Sequence, residues 1–211
     1  MNDPTIVVEG QGRLRIEPDA AVVEATVAVL NLSYAAANTE AHRLTNLLRE
    51  AIVPLGFART DFKTTQFDVK RETEYIANSQ RAHFVGYRAR HTVELRLPLD
   101  KERLNRLVEA CLASGAHAEI NVRFTVSEPE AARDRLLAAA VENAQQRAAV
   151  IAGSAGVKLG DIVQIHYGAT EVRFRSDSLE LHESGPSAPE IEAGDFVAEE
   201  RVQITWKIGM K

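Results

Sequence analysis

From Val85 to Leu97 the chain alternates with a period of two. Val85, Tyr87, Ala89, His91, Val93, Leu95 and Leu97 fall on one side, and Arg88, Arg90, Thr92, Glu94 and Arg96 on the other. Only a strand gives that separation, and only an antiparallel sheet with one covered face makes use of it. The preceding segment, Phe62 to Tyr75, is joined to it through polar Asn78-Ser79-Gln80, so the two read as a long hairpin. A chain containing such a hairpin needs helices or a second sheet on the apolar face.

Three helical patterns supply them. Ala37, Ala41, Leu44, Leu48, Ala51 and Leu55 step by fours and threes from about Tyr34 to Pro54, and Gly56 follows as a stop. Asp100 caps a second helix to about Ser114, with Leu104, Leu107, Val108, Cys111 and Leu112 inward and Gly115 after it. Ser127-Glu128-Pro129-Glu130 reads as a capping box with Pro in the first turn. It opens a third helix to about Ala152, with Leu137, Ala140, Val141, Ala144, Ala148 and Ile151 inward. The small residues suit close packing on a sheet.

The other strands are short and β-branched. Thr5–Glu9 and Arg13–Ile16 precede a Pro18-Asp19 turn, and Val22 to Leu32 follows it. Ile120 to Val126, Asp161 to Tyr167 and Phe196 to Ile208 complete the set. In the last, Glu200 is the polar exception on an apolar face, expected at an end or edge. Gly168 to Asp195 is rich in Ser, Glu, Pro and Gly and reads as a long mobile loop. The order ββαββαβαββ implies an α+β fold, antiparallel strands with three helices packed on the sheet. Residues 1–211 are expected to form one two-lobed unit.

Composition excludes several functions. A net charge of −5 argues against general nucleic-acid binding, which needs a basic surface. No stretch approaches the roughly 20 apolar residues of a membrane helix. MNDPTIVVEG has no basic-then-apolar leader. The sequence as it stands is therefore read as cytoplasmic, or as periplasmic if it is a trimmed mature form. One cysteine, Cys111, cannot close an internal disulfide and reads as a buried inert thiol.

No segment carries catalytic or cofactor chemistry. Gly10-Gln11-Gly12 follows a strand but lacks a third Gly and a following helix, so a bulge or tight turn is expected there, not a nucleotide site. Of six histidines, none stands at metal-ligand spacing from another His or Cys, and His91 reads as a satisfied core residue. The acidic run Glu171, Asp177, Glu180, Glu183, Glu190, Glu192 and Asp195 lacks the glycine-turned spacing of a calcium loop. No catalytic, cofactor or metal residue is assigned. Arg88, Arg90, Glu94 and Arg96 form a charged strand face, the candidate contact surface.

Four stretches in order resemble the SIMPL-domain family of YggE-like and periplasmic immunogenic proteins. They are Ile6 to Gly12 leading to Glu17-Pro18-Asp19, Gly86-Tyr87-Arg88-Ala89 leading to Val93-Glu94-Leu95, Ser127 to Glu130, and Ala152 to Gly160. The resemblance implies an α+β fold, self-association into homo-oligomers, an envelope location, and loose links to stress or oxidative defence. It supplies no catalytic residues. The first expectation is a non-enzymatic, self-assembling protein. The alternative is an adaptor that engages a protein partner through the 168–195 loop or an edge strand. A small-ligand binder or enzyme comes last.

Overall fold

In a computed structural model, residues 4–75, 82–168, 179–181 and 194–210 are described. Among them eight strands and three helices follow in the order β1 (Thr5–Ile16), β2 (Ala20–Asn31), α1 (Tyr34–Ala51), β3 (Lys63–Tyr75), β4 (Ala82–Pro98), α2 (Lys101–Leu112), β5 (Glu119–Thr125), α3 (Pro129–Ser154), β6 (Val157–His166), β7 (Leu179–Leu181) and β8 (Phe196–Met210). The expected α+β order is met, with β7 as an addition. That strand lies inside the segment read as a long mobile loop, and the rest of 169–193 falls outside the described residues. So does the Asn78-Ser79-Gln80 turn. No helix among the described residues is long and apolar enough to cross a membrane; strands of a membrane barrel are a separate matter.

The chain divides into two compact units. β1 and β2, adjacent in sequence, do not pair: β1 belongs to a three-stranded sheet, β1-β8-β6, and β2 to a five-stranded sheet, β3-β4-β2-β5-β7. Every pairing in both sheets is antiparallel. The helices are divided too. α3 packs on the first sheet, and α1 and α2 on the second. Helical periodicity shows which face is apolar but not which sheet receives it.

In the first unit, β1 is one continuous strand, not two pieces around a turn. Gly10 and Gly12 sit inside it, opposite Val202 and Glu200 of β8. Their role is to let α3 approach. A Cβ on Gly10 would stand 2.1 Å from the Ala140 carbonyl oxygen, and one on Gly12 would stand 2.1 Å from that of Leu136. The buried ridge of α3 is correspondingly small: Ala132, Leu136, Ala140, Ala144, Ala148 and Ala152. The expectation of Leu137 and Ile151 as inward residues is corrected, and Ile151 is 47% exposed. A strict four-residue step traces the inclined ridge that nests against a neighbour. Val8, Val202, Ile204 and Trp206 supply the bulk of this core.

Two local expectations also change here. The N-cap of α3 is Glu128, with no side-chain capping bond, while Pro129 does occupy the first turn. The helix ends at Ser154, Gly156 turns the chain with φ 72°, and β6 begins at Val157, ahead of the expected start at Asp161. Glu200 is not at an edge. It lies in the middle of the central strand, 1% exposed, and neither carboxylate oxygen has a hydrogen-bond partner among the described residues. Burying a polar group without a hydrogen bond costs about 1–3 kcal/mol.

The second unit follows the pattern closely. Ser33 caps α1 through Ala36 N–H (3.4 Å), and Asp100 caps α2 through Arg103 N–H (3.0 Å). Val23, Val27, Val93, Leu95 and Phe124 from the sheet meet Leu48 of α1 and Leu104, Leu107 and Val108 of α2 in one core. Asp19 ties the sheet's end: its N–H donates to Thr125 O (3.2 Å) and its carbonyl accepts from Leu99 N–H (2.9 Å).

Candidate functional site

The members of the charged face of β4 differ in their surroundings. Arg88 forks onto Glu72 of β3, a diagonal neighbour, with Nη2 donating to Oε1 at 2.7 Å and Nε to Oε2. That hydrogen bonding holds the Glu72 carboxyl below the usual carboxylate range. Glu94 accepts from Arg123 of β5, which reaches across β2. Arg90 is exposed and stands in register with Asp68. The Asp68 carboxyl is held low first by the Gln66 amide, then by Lys70, with Arg90 adding a smaller share. Arg96 is exposed near the end of β4, where it lines a cavity with Glu94. The four residues therefore share a face, but not one constellation.

Across the sheet from them, His91 is 3% exposed and hydrogen-bonded at both ring nitrogens. Thr45 Oγ1 lies 3.0 Å from Nδ1, and Thr64 Oγ1 lies 3.0 Å from Nε2. Thr45 has one hydroxyl proton, and it goes to the Ala41 carbonyl at 2.8 Å. Thr45 must then accept from Nδ1–H, which leaves Nε2 to accept from Thr64. Arg49 Nη2, 3.3 Å from Thr64 Oγ1, fits that direction. The whole chain suits a neutral imidazole. Burial first, then the positive charges of His42 and Arg49, lowers its pKa to about 4. With both nitrogens engaged, this ring has no lone pair to offer a metal or a substrate proton. His42 stacks on Phe67 (5.0 Å) and closes the cluster from outside.

Cys111 is 1% exposed, and burial pushes its thiol up to about 12. The thiolate, the nucleophilic form, is thus suppressed at neutral pH. Iodoacetamide is expected to leave Cys111 unmodified in the folded protein and to label it fully in denaturant. Mass spectrometry of both samples checks this.

The sheet edges differ in how they are protected. An unpaired strand edge invites another strand unless something blocks it. On the outer edge of β1, Asn143 of α3 accepts from Gln11 N–H (3.1 Å) and Arg147 donates to Glu9 O (3.3 Å). The β3 edge carries Lys63, Asp68, Lys70, Arg71, Glu72 and Glu74 and is broken by a bulge at Thr65. β6 has register shifts on both sides of Ile162 and two charges, Lys158 and Asp161, but its second half exposes apolar side chains. Ile162, Val163 and Ile165 are 45%, 52% and 53% exposed. Sequence reasoning identified this strand without its exposure. The signal was there in Ile162-Val163: two adjacent apolar residues in a strand cannot both face one core.

The SIMPL family, described as a protein of unknown function (DUF541), matches residues 6–206 of this chain. Among curated proteins, the chain is 28% identical over 165 residues to the uncharacterized protein YggE of Escherichia coli K12, and equally to those of Escherichia coli O157:H7 and Shigella flexneri. The match takes in 78% of this chain and 65% of each relative, so the chain spans about two-thirds of the length of the relatives it matches.

Proposed function

The chain belongs to the SIMPL family, and from that premise we propose that it is a non-enzymatic protein that assembles with copies of itself through β6. One observation carries the reading: the second half of β6 is an apolar edge interrupted only by a bulge at Val163, in a chain whose β1 edge is bonded from α3 and whose β3 edge is charged and bulged. A second copy is the occupant that closes it most simply. Two β6 edges related by a two-fold axis meet antiparallel, each supplying the same surface. The result is a continuous sheet, β1-β8-β6-β6-β8-β1, in which Ile162 and Ile165 gain cover from the facing strand.

Light scattering coupled to size exclusion tests this. A discrete oligomer is expected for the wild-type chain, and monomer for Ile165→Lys and Gln164→Pro. The first puts a charge at the joint. The second removes an amide and stiffens the strand. A wild-type chain that stays monomeric as concentration rises overturns self-assembly. The same edge then becomes the place to look for an extended segment of another protein, the adaptor reading.

A further inference from the structure

In the second unit, β4 outruns its neighbour. The first β3–β4 pair is Lys63 with Glu94, yet β4 continues to Pro98, still paired with β2. On the β3 side, the edge from Leu95 to Pro98 has no strand beside it. The chain leaving α1 fills only part of that space. It passes through two 3₁₀ turns, Val53–Leu55 and Arg59–Asp61, linked by Gly56 in the left-handed conformation (φ 83°). What remains is a cavity of about 560 Å³, within the range of small-molecule sites.

Lys63, Arg96 and Arg103 line it together with two carboxylates, Asp61 and Glu94, and Arg96 has an interaction of its own. Both carboxylates are already engaged. Asp61 Oδ2 accepts from Ala58 N–H at 2.9 Å, and Glu94 is held by Arg123. Lys63 and Arg103 have no carboxylate partner among the described residues. Arg103 is also oriented: its guanidinium lies over the Phe57 ring, 4.4 Å from the centroid. Stacking of that kind fixes the plane of the fork and leaves its N–H edge available. The remaining wall is apolar, built from Val22, Leu97 and Pro98. In a chain of net charge −5, a concave cationic place runs against the prevailing sign.

We propose that this cavity binds a small organic carboxylate with an apolar body. The Arg103 fork takes the carboxylate, Lys63 adds a point charge, and the apolar body rests on Val22, Leu97 and Pro98. Inorganic phosphate satisfies the charges but leaves the apolar wall unused. A neutral aromatic does the reverse. The proposal is independent of self-assembly, since no residue of β6 takes part.

Chemical-shift titration of the full chain tests it with three probes: 3-phenylpropionate, 3-phenylpropanol and inorganic phosphate. Saturable binding of 3-phenylpropionate, with shifts centred on Phe57, Lys63 and Arg103, is expected. The alcohol and phosphate should bind at least tenfold more weakly. Charge-assisted hydrogen bonds of this type place the loss in Arg103→Met at about tenfold or more. Arg103→Lys keeps the charge but loses the fork, and it should weaken binding as well. Lys70→Met, outside the cavity, should change nothing, and the thermal midpoint of each variant reports whether it is folded. The proposal is overturned by an absence of saturable binding, by equal binding of the alcohol or of phosphate, or by full affinity in both Arg103 variants.

Discussion

Gly12→Ala is expected to destabilise the first unit by about 3 kcal/mol, at the upper end of what an inserted methyl costs in a packed core. The added Cβ would lie 2.1 Å from the Leu136 carbonyl oxygen and 2.8 Å from the Ala140 amide nitrogen. Both are backbone atoms of α3 and cannot rotate away, so the helix must lift from β1. Gly10→Ala meets Ala140 O at 2.1 Å and the Ala144 Cβ at 2.6 Å, and should behave alike. The double variant should leave α3 undocked. The single tryptophan makes the measurement direct. Trp206 is 3% exposed and packs in the same cluster as Ala140 and Ala144, so its emission shifts red as this unit opens. Gly153→Ala is the internal control. It lies in the same helix with nothing within 4 Å of the added Cβ, and alanine is the better helix former by up to about 1 kcal/mol. Urea titration followed by Trp206 fluorescence should therefore place Gly12→Ala and Gly153→Ala on opposite sides of wild type. A change under about 1 kcal/mol in Gly12→Ala would mean that α3 does not lie against β1 as described.

This contact also shows where the sequence was opaque. A glycine inside a strand looks like punctuation, so Gly10-Gln11-Gly12 reads as a bulge or tight turn. Its meaning depends on a helix more than a hundred residues later. The same absence of Cβ explains the shifted stripe of α3. Bulky Leu137 and Ile151 look inward because bulk usually is, but the ridge of a helix lying on glycine is mostly alanine, with Leu136 the one large member and Val141 packed at its side. Glu200 is expected at an end or edge because buried carboxylates are rare, yet it lies in the central strand. The second unit was more legible. Its alternating strands and the Asp100 cap obey local rules, and local rules can be read without tertiary contacts. The charged face was legible as a face only. Which charges pair depends on register: Arg88 reaches Glu72 diagonally next to a bulge, and Arg123 reaches Glu94 across an intervening strand.

Acidification is expected to weaken the second unit through His91, by up to about 3 kcal/mol between pH 6.5 and pH 4. The unfolded chain takes up its imidazole proton near 6.5, and the folded protein only near 4. Between those values the unfolded state binds more protons, so its population grows as pH falls. The contribution is fully present above pH 6.5, declines through the window, and is gone below about pH 4. The maximum slope for one proton is about 1.4 kcal/mol per pH unit. The structural cause is the directed chain from Arg49 through Thr64 and His91 to Thr45 and Ala41. A second ring proton on His91 would face the Thr64 hydroxyl proton at Nε2, with His42 and Arg49 adding positive charge nearby. Carboxylates held low, such as Glu72 and Asp68, lose their own contributions as pH falls, so the histidine must be isolated by difference. His91→Gln does this. Its amide can donate towards Thr45 and accept from Thr64, but it does not titrate across the window. Stability curves from urea unfolding should run parallel above pH 6.5 and diverge below it, with wild type falling faster. The His91 ring proton resonance should meanwhile stay in its neutral position until about pH 4. Curves that remain parallel to pH 4, or a ring that protonates near 6.5, would show that the threonine chain does not hold this histidine neutral.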